Sequence, residues 1–351
     1  MTSPVKFALV GAGAIAQSYA AALEKNPNVE LLAVADPRRD AAEAFAKRFG
    51  ANAYSDHRAL LEDSLGLEAV IICTPPNTHE ALANDFAGAG VHILCEKPFA
   101  LSSLSARRMV KQALRSGVLL TMGSKFRYVA DVNRAKFFLA EGLIGDTVLL
   151  ENAFTGRVDM SSRWNSNPAV SGGGVLIDNG THSVDILRYF LGPLAEVHGI
   201  EGRRSQDLKV EDTARLFVRA ENGAMGSVDL SWSINKELDW YITIHGTNGL
   251  IQIGWKQSRY KLLGGDWVVF GNGYDKVQAF RAQVDNFAGA IRGEVSLVIN
   301  AEDALASVEV IEAAYESMRA APWTGVHNGN PLLLTPRPIG NTVTIRETAR
   351  V

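Results

Sequence analysis

The chain has 351 residues, of which 47% are hydrophobic and 21% charged, and its formal net charge is −3. This length is about twice that of a typical single domain. The mixed charges provide neither a basic stripe for nucleic acid nor a polybasic anchor for a membrane. We therefore expect two domains, a small-molecule substrate, and no nucleic-acid or membrane partner.

The cysteine count and the N-terminal residues bear on the compartment. Cys73 and Cys95 are the two cysteines, and both lie in or beside apolar runs typical of buried strands. Two cysteines cannot form a disulfide framework, so we expect reduced core residues. The N-terminal residues lack the pattern of a secretion signal, and no apolar stretch is long enough to span a bilayer. These features predict a cytoplasmic protein.

Residues 5–125 alternate short β-rich runs with helical segments, which is typical of a doubly wound parallel sheet. Strands are predicted at 7–10, 30–35, 69–74, 92–95 and 118–122, and helices at 14–25, 40–49, 57–61, 78–89 and 102–116. Five parallel strands with right-handed crossovers make a Rossmann-like domain. We place this domain at residues 1–125.

Beyond residue 125 the pattern changes to that of an α+β domain. A helix at 130–141 precedes a strand at 147–156 and a helix at 175–191. Hairpin-like turns then join strands predicted at 197–202, 214–219, 224–231, 240–246 and 250–253, and helices follow at 277–292 and 301–318. We place a domain with a large, mostly antiparallel sheet at 126–322, and a C-terminal tail at 323–351. Helices on one side leave the other sheet face open, so we expect a homodimer or homotetramer through that face.

The first predicted strand and helix flank a glycine-rich loop. Residues 11–16 read Gly-Ala-Gly-Ala-Ile-Ala. Gly11 allows the tight turn, Gly13 lets the backbone approach a pyrophosphate, and the helix N-terminus favours its negative charge. In this context the loop predicts a binding site for a nicotinamide dinucleotide.

Asp36, at the end of the second predicted strand, bears on the choice of cofactor. Its carboxylate is placed to accept hydrogen bonds from an adenosine ribose, and it would repel a 2′-phosphate, which favours NAD over NADP. Arg38 and Arg39 follow closely, and an arginine there could pair with a 2′-phosphate. NADP therefore stays open as a second cofactor, and so does a solvated position for both arginines.

Two further segments carry groups suited to proton and charge transfer. Lys97 and Pro98 follow the fourth strand, and ligands bind at the carboxyl ends of strands in such sheets. A lysine there can stabilise alkoxide charge on a substrate, although a surface lysine is the simpler alternative. Asp178 and His182 are spaced i, i+4 on one helix face, at hydrogen-bonding distance. An oriented imidazole suits proton removal from an alcohol; a satisfied core pair is the alternative.

In combination, these segments resemble the Gfo/Idh/MocA family of oxidoreductases. The matching segments are 11–15, Asp36, 74–79 (Thr-Pro-Pro-Asn-Thr-His), 96–98 (Glu-Lys-Pro), 172–185 and 302–315. Together they span nearly the whole chain up to about residue 320, and the combination is highly specific for the family.

The resemblance implies a sugar or cyclitol dehydrogenase with Lys97, Asp178 and His182 as its catalytic set. In such an enzyme His182 exchanges the hydroxyl proton, Lys97 hydrogen-bonds the reacting oxygen, and Asp178 helps to polarise and place them. A hydride passes between the substrate carbon and the nicotinamide ring. The motif and the resemblance together predict that the following residues bind the cofactor: Gly11, Gly13, Ala14, Ile15, Asp36, Arg38, Thr74, Pro75, Asn77, His79, Glu96, Lys97 and Arg127.

One stretch departs from the family pattern. Relatives often carry Asn-Arg-Arg-Phe after the fifth strand, where this chain has Lys-Phe-Arg-Tyr at 125–128. Arg127 matches and is expected to face the nicotinamide. Lys125 adds a charge that could contact a substrate oxygen, face the cofactor or be solvated.

The loop at 157–168 is a candidate for substrate contact. Trp164 beside Arg163 and Asn165 suits stacking on a sugar ring while polar groups bind its hydroxyls, and a surface loop is the alternative. Arg157 or Arg163 in the site would favour a phosphorylated, nucleotide-linked or acidic sugar. The predicted substrate-binding residues are Lys97, Lys125, Arg163, Trp164, Asn165, Asp178 and His182.

Metal use and two other functions complete the expectations. His182 and Asp185 are the one pair with ligand-like spacing, and no third ligand is evident, so no metal is expected. An NADPH-dependent ketosugar reductase in a biosynthetic pathway would use the same chemistry in reverse. A non-catalytic dinucleotide-sensing regulator is the third hypothesis, since the family includes a transcriptional repressor; the presence of Lys97, Asp178 and His182 argues against it.

Overall fold

The computed structural model describes residues 3–63 and 65–320. Within these ranges the chain forms two β-sheets and ten α-helices. No helix in the described part is long and apolar enough to cross a membrane. The C-terminal tail predicted at 323–351 lies outside the described residues.

The first sheet has six parallel strands in the order β3-β2-β1-β4-β5-β6. The strands are β1 (Val5–Val10), β2 (Val29–Ala35), β3 (Asn52–Tyr54), β4 (Ala69–Ile72), β5 (His92–Glu96) and β6 (Leu120–Gly123). The helices between them are α1 (Ala14–Leu23), α2 (Arg39–Lys47), α3 (His57–Glu62), α4 (His79–Gly88) and α5 (Ser103–Ser116). This order is that of a Rossmann fold, so the predicted doubly wound sheet is confirmed.

Local chemistry explains both the predicted elements and the missed strand. β4 is buried along its whole length, as expected for a central parallel strand covered on both faces. α5 begins where the Ser102 side chain accepts a hydrogen bond from the Ser105 amide, and it ends at Gly117, whose φ is +65°. β3 was not predicted because it has three residues at the sheet edge and none is buried.

The second sheet has eight strands in the order β14-β13-β12-β11-β7-β10-β9-β8. The strands are β7 (Thr147–Thr155), β8 (Leu194–Glu201), β9 (Thr213–Ala220), β10 (Met225–Ser231), β11 (Trp240–Gly246), β12 (Gly249–Gly254), β13 (Ser258–Leu262) and β14 (Trp267–Gly271). All neighbours are antiparallel except β7 and β10. The mostly antiparallel sheet is confirmed, with the hairpin of β13 and β14 in addition to the predicted strands.

The described chain after β6 contains five helices: α6 (Ala130–Ala140), α7 (Pro168–Ser171), α8 (Val175–Leu191), α9 (Lys276–Ile291) and α10 (Ala301–Ala320). α8 packs against β7, β9 and β10. Burial alternates along β9, where Leu216 and Val218 are buried and Phe217 and Arg219 are exposed. The second face of the sheet is therefore open in the described chain, as predicted; its burial in an oligomer stays a prediction.

The last two helices return to the first sheet. Phe280 of α9 packs edge-to-face on Tyr19 of α1 at 4.9 Å, and Phe287 packs on Phe7 of β1 at 5.9 Å. α10 packs against α5 and α8. Residues far beyond 125 thus complete the core of the first sheet, and the division into domains at residue 125 stays a prediction. This return packs α8 beside the ends of β5 and β6.

Candidate active site

The glycine loop has the geometry that a dinucleotide needs. Gly11 has φ of +94°, and a Cβ there would lie 2.9 Å from backbone atoms of Cys73 and Thr74. A Cβ at Gly13 would meet no protein atom within 4 Å, so the protein itself places no steric demand on this position. No side chain caps the first turn of α1, which leaves its amide groups free for an anion. These features fit a bound pyrophosphate.

Asp36 joins the ends of β1 and β2. Its Oδ2 accepts a hydrogen bond from the Ala12 amide at 2.7 Å, and its Oδ1 accepts from the Arg38 amide at 2.9 Å and the Arg38 guanidinium at 3.2 Å. Burial alone would raise the pKa of Asp36, but these hydrogen bonds lower it overall. Arg39 pairs with Glu43 on the surface instead. Of the two arginines, Arg38 is the one held beside the carboxylate.

The segment after β4 turns sharply and carries four predicted cofactor residues. Thr74 and Pro75 are half-buried and Asn77 is exposed. His79 is buried, with Nε2 2.9 Å from the carbonyl oxygen of Thr74 and Nδ1 3.0 Å from that of Pro98. The imidazole therefore ties the end of β4 to the turn after β5. Contact between the cofactor and these residues stays a prediction.

Glu96, the last residue of β5, is buried next to Lys97. Its Oε1 accepts a hydrogen bond from the Tyr19 hydroxyl at 2.7 Å, and its Oε2 accepts from the Lys97 amide at 3.1 Å. Gln283 of α9 donates to the Tyr19 oxygen at 2.8 Å. Burial raises the pKa of Glu96. This network links α1, β5 and α9 directly under Lys97; the predicted contact of Glu96 with the cofactor is not tested by it.

The side chains of Lys97, which follows β5, and Asp178 of α8 form an ion pair. The Lys97 Nζ donates to Asp178 Oδ1 at 2.6 Å and lies 3.4 Å from the Asp178 carbonyl oxygen. Both side chains keep a small exposed fraction, 17% and 18%. The Lys97–Pro98 peptide bond is cis. Asp178 is thus hydrogen-bonded to the lysine rather than to His182, because the ammonium is the stronger partner for a carboxylate.

His182, one turn along α8 from Asp178, contacts the turn after β6. Its Nε2 lies 3.1 Å from the Lys125 Nζ, and its Nδ1 lies 3.5 Å from the Ser124 hydroxyl oxygen. That hydroxyl donates to Asp185 Oδ2 at 2.7 Å. Burial, Lys125 and Lys97, in that order, hold the pKa of His182 well below its ordinary value. His182 is therefore a neutral imidazole at physiological pH.

Arg127 contacts Asp185, the carboxylate that accepts the hydrogen bond from Ser124. It is buried, and it pairs with Asp185 at 2.7 Å and with Asp303 of α10 at 3.1 Å. Burial raises the pKa of Asp185, with Arg127 and Ser124 acting against that shift. Arg127 thus fixes the carboxylate that orients Ser124, and its expected contact with the nicotinamide stays a prediction.

An aromatic cluster that sequence reasoning missed packs beside His182. The Phe126 ring meets the imidazole edge-to-face at 5.0 Å, and Tyr274 stacks on Phe126 at 5.3 Å. Trp255, 40% exposed, lies 4.5 Å from the Tyr241 ring. Both tyrosine hydroxyls are buried without a hydrogen-bond partner among the described residues. These residues lie in separate strands and turns, so no local motif marked them.

The loop proposed for substrate contact is mostly open to solvent. Arg163 is exposed, Trp164 is 44% exposed and Asn165 is half-buried. The loop leads into α7, which packs against the turn Pro76–Thr78. Lys97, Lys125, Asp178 and His182 are thus brought together by the fold, whereas Arg163 and Trp164 remain on the surface. Within residues 3–63 and 65–320 no group of three potential metal ligands occurs.

Two family models match this chain. One, for the NAD-binding Rossmann fold of an oxidoreductase family, covers residues 5–124, and the other, for the GFO/IDH/MocA C-terminal domain, covers residues 132–252. The first sheet with its glycine loop is therefore an NAD-binding Rossmann domain, and the protein is an oxidoreductase. The chain belongs to the Gfo/Idh/MocA family, so the resemblance noted from the sequence is confirmed.

Individual relatives and a solved structure also match this chain over most of its length. Inositol 2-dehydrogenase of Rhizobium meliloti is 26% identical over 334 residues, which cover 90% of this chain and 97% of that protein. D-apiose dehydrogenase of Rhizobium rhizogenes is 30% identical over 258 residues, covering 71% and 73%. The crystal structure of GenD2 from gentamicin A biosynthesis, in complex with NAD, matches with a TM-score of 0.81 at 28% identity and covers 91% of this chain and 95% of that one.

Proposed function

We propose that this protein is an NAD-dependent dehydrogenase that oxidises a secondary hydroxyl group of a sugar or cyclitol, with Lys97, Asp178 and His182 as its catalytic set. The observation that carries the proposal is the contact of Lys97 Nζ with Asp178 Oδ1 at 2.6 Å, one helical turn from a neutral His182. Relatives named for inositol and apiose dehydrogenation support the substrate class.

Each member of the set has a separate role. Asp178 holds the Lys97 ammonium, which is placed to donate a hydrogen bond to the reacting oxygen and to stabilise negative charge on it. His182 is neutral, so it can accept the hydroxyl proton. When bound, NAD supplies the acceptor for the hydride that leaves the substrate carbon.

We further propose NAD as the preferred cofactor. The Asp36 carboxylate is negatively charged at neutral pH, and the Ala12 amide fixes its position at the end of β1. A ribose hydroxyl can donate to such a carboxylate, whereas a 2′-phosphate would be repelled. Arg38, which could pair with a 2′-phosphate, is already paired with Asp36.

The residues around the catalytic set favour a ring-shaped, polyhydroxylated substrate. Trp255, 40% exposed, offers an apolar ring face beside the buried Phe126 ring, and the buried Tyr274 hydroxyl next to them has no hydrogen-bond partner among the described residues. Small-ligand pockets commonly combine apolar surfaces with a few polar groups. Contact of Trp164 and Asn165 with such a substrate stays a prediction.

The decisive experiment is a substrate screen with the purified protein. Cyclitols, aldoses, sugar phosphates and nucleotide sugars are offered with NAD and with NADP, and absorbance of the reduced nicotinamide is followed. We expect turnover of a cyclitol or sugar with a higher kcat/KM for NAD. Turnover only as reduction of a ketosugar by NADPH would instead identify the biosynthetic reductase. Cofactor binding without turnover of any class would identify a regulator.

We also propose that two copies associate through the open face of the second sheet. That face carries exposed Phe217 and Met225 on β9 and β10, together with the charged pair Arg219–Glu196. Apolar side chains of this kind on an otherwise polar sheet are typical of interfaces. Light scattering at micromolar concentration should give a dimer or tetramer; a monomer would contradict the proposal, and Phe217→Asp should dissociate the assembly.

A further inference from the structure

Lys125 occupies an unusual position for a lysine. It lies in the turn after β6, half-buried, with its Nζ 4.8 Å from the centre of the Phe126 ring and 5.9 Å from that of Phe280. No carboxylate accepts a hydrogen bond from it among the described residues, and its partner there is the His182 Nε2 at 3.1 Å. A lysine without a carboxylate partner in such surroundings loses much of the hydration that stabilises its charge.

The hydrogen bonds on the other side of the imidazole fix its tautomer. Ser124 uses its hydroxyl hydrogen for Asp185, so the Ser124 oxygen is left as an acceptor toward His182 Nδ1. The neutral imidazole then carries its hydrogen on Nδ1 and presents the lone pair of Nε2 to Lys125. Nε2 is also the nitrogen through which His182 would receive a substrate proton.

The charges around Lys125 act in both directions. Lys97 and Lys276 disfavour its ammonium form, and Glu96 and Asp178 favour it. Burial is the largest effect and Lys97 the second, and together they lower the pKa of Lys125 to about 7. Burial, Lys125 and Lys97 hold the pKa of His182 well below its ordinary value. Of the two nitrogens in contact, Nζ is therefore the one that holds a proton near neutral pH.

We propose that Lys125 and His182 act as one coupled acid–base pair, in which Lys125 stores the proton that His182 exchanges with the substrate. This inference rests on the proposed dehydrogenase function. It makes Lys125 a proton-carrying residue of the reaction rather than a contact to a substrate oxygen or to the cofactor.

Oxidation removes one proton and one hydride from the substrate. In oxidation the O–H bond of the substrate breaks, its proton passes to His182 Nε2 and then across the 3.1 Å contact to the neutral amine of Lys125. The C–H bond breaks with its electron pair, which goes as a hydride to the nicotinamide, so the alcohol is oxidised and NAD is reduced. Lys125, being half-buried, then releases the proton to solvent. Reduction runs through the same pair in reverse.

An experiment independent of turnover tests the pair directly. In protein labelled with 15N-histidine, the Nε2 resonance of His182 should shift with an apparent pKa near that of Lys125 while the ring stays neutral, because the lysine changes from ammonium to amine beside it. In Lys125→Met the imidazole loses a cationic neighbour, so the shift of the Nε2 resonance near the pKa of Lys125 should disappear, and the pKa of His182 should rise although burial still lowers it. No shift of the wild-type resonance between pH 6 and pH 8.5 would overturn the proposal.

Kinetics then test the role of the pair in the reaction. Lys125→Met should lower kcat/KM for oxidation by at least about 100-fold at neutral pH, the usual scale of acid–base catalysis. The dissociation constant for NAD should stay within about threefold, as for substitutions that remove no binding contact. In Lys125→Ala, added ethylamine should restore part of the lost rate.

Lys276→Met is the matched control. It removes a neighbouring positive charge of the same kind and should leave the contact of Lys125 with His182 intact, so the rate should persist and the apparent pKa of the pair should rise. NAD binding weakened more than tenfold in Lys125→Met, with unchanged pH dependence, would identify a cofactor-binding lysine and overturn the proposal. If wild-type protein oxidises no sugar or cyclitol, the proposed function fails, while the NMR titration still decides whether the pair exists.

Discussion

At the dinucleotide end of the site, which contains the glycine loop and Asp36, the contacts join residues of one β-α-β unit. At the reactive end, which contains the catalytic set and Lys125, the contacts join residues from distant parts of the chain. Asp36 binds the Ala12 amide between neighbouring strands. Lys97 meets Asp178 across 81 residues of sequence, and Lys125 meets His182 across 57. The first end depends on backbone conformation, and the second depends on how α8 packs beside the first sheet. Substitutions at the reactive end should therefore lower turnover, and substitutions at the dinucleotide end should lower cofactor affinity or the stability of the fold.

The largest expected effect is at the reactive end. Lys97→Ala or His182→Ala should lower turnover by at least about 100-fold, because an electrostatic or acid–base contribution is lost. Cofactor binding should be largely kept, since the glycine loop is not touched. Steady-state kinetics and an NAD titration measure the two effects, with the exposed Lys111→Ala as a control. Unchanged turnover in either variant would refute the catalytic set.

Two glycines of one loop should separate folding from binding. Gly13→Ala should reduce NAD affinity about tenfold or more, because its methyl group would occupy the space of the pyrophosphate and no protein atom opposes it. Gly11→Ala should instead lower the free energy of unfolding by about 1–3 kcal/mol, because φ is positive and backbone atoms are too close.

Denaturant unfolding and NAD titration of both variants measure this separation. A stable Gly11→Ala protein would contradict the steric argument, and a Gly13→Ala protein with normal affinity would show that the backbone does not approach the cofactor there.

A smaller effect is expected on cofactor choice. Asp36→Ala should shift the ratio of kcat/KM values toward NADP by about tenfold, since the repelling carboxylate is lost and Arg38 is left free to pair with a 2′-phosphate. Arg39→Ala is the matched control because Arg39 pairs with Glu43 instead. Equal selectivity in Asp36→Ala and wild-type protein would show that this carboxylate does not contact the adenosine ribose.

The smallest effect concerns acid stability. The folded state lowers the pKa of Asp36, so its carboxylate stabilises the fold above the ordinary pKa of an aspartate, and this contribution is lost as pH falls through the lowered value. We expect about 1 kcal/mol at neutral pH, because the partner Arg38 is largely exposed and solvent screens the pair. Unfolding of wild type and Asp36→Asn, compared at pH 7 and pH 3, measures it; an equal difference at both pH values would contradict this assignment.

Much of the fold could be predicted because its signals are local. The apolar runs of β1 and β4 and the turn at Gly11 can each be recognised within a few consecutive residues. The missed strands had weaker signals: β3 is short and unburied, and β13 and β14 form an outer hairpin whose residues are mostly half-buried or exposed.

At the candidate site, sequence spacing correctly placed Asp178 and His182 on one helix but not their partners. Helical geometry puts the two residues one turn apart, yet it does not say which groups approach from other elements. Packing of α8 against the first sheet brings Lys97 to Asp178 and Lys125 to His182. The aromatic residues around Phe126 likewise come from separate strands and turns, so only the assembled fold collects them.

The sequence alone therefore determined the NAD-binding domain and the family, because both depend on short-range pattern, whereas the catalytic set that it suggested stays a prediction. Only the tertiary structure decided how the charges pair. In the folded protein Lys97 contacts the carboxylate of Asp178, and Lys125 contacts the imidazole of His182. Burial, together with the charge of Lys97, lowers the pKa of Lys125 to about 7. Such shifts depend on desolvation and on charges from distant segments, which a linear sequence does not contain.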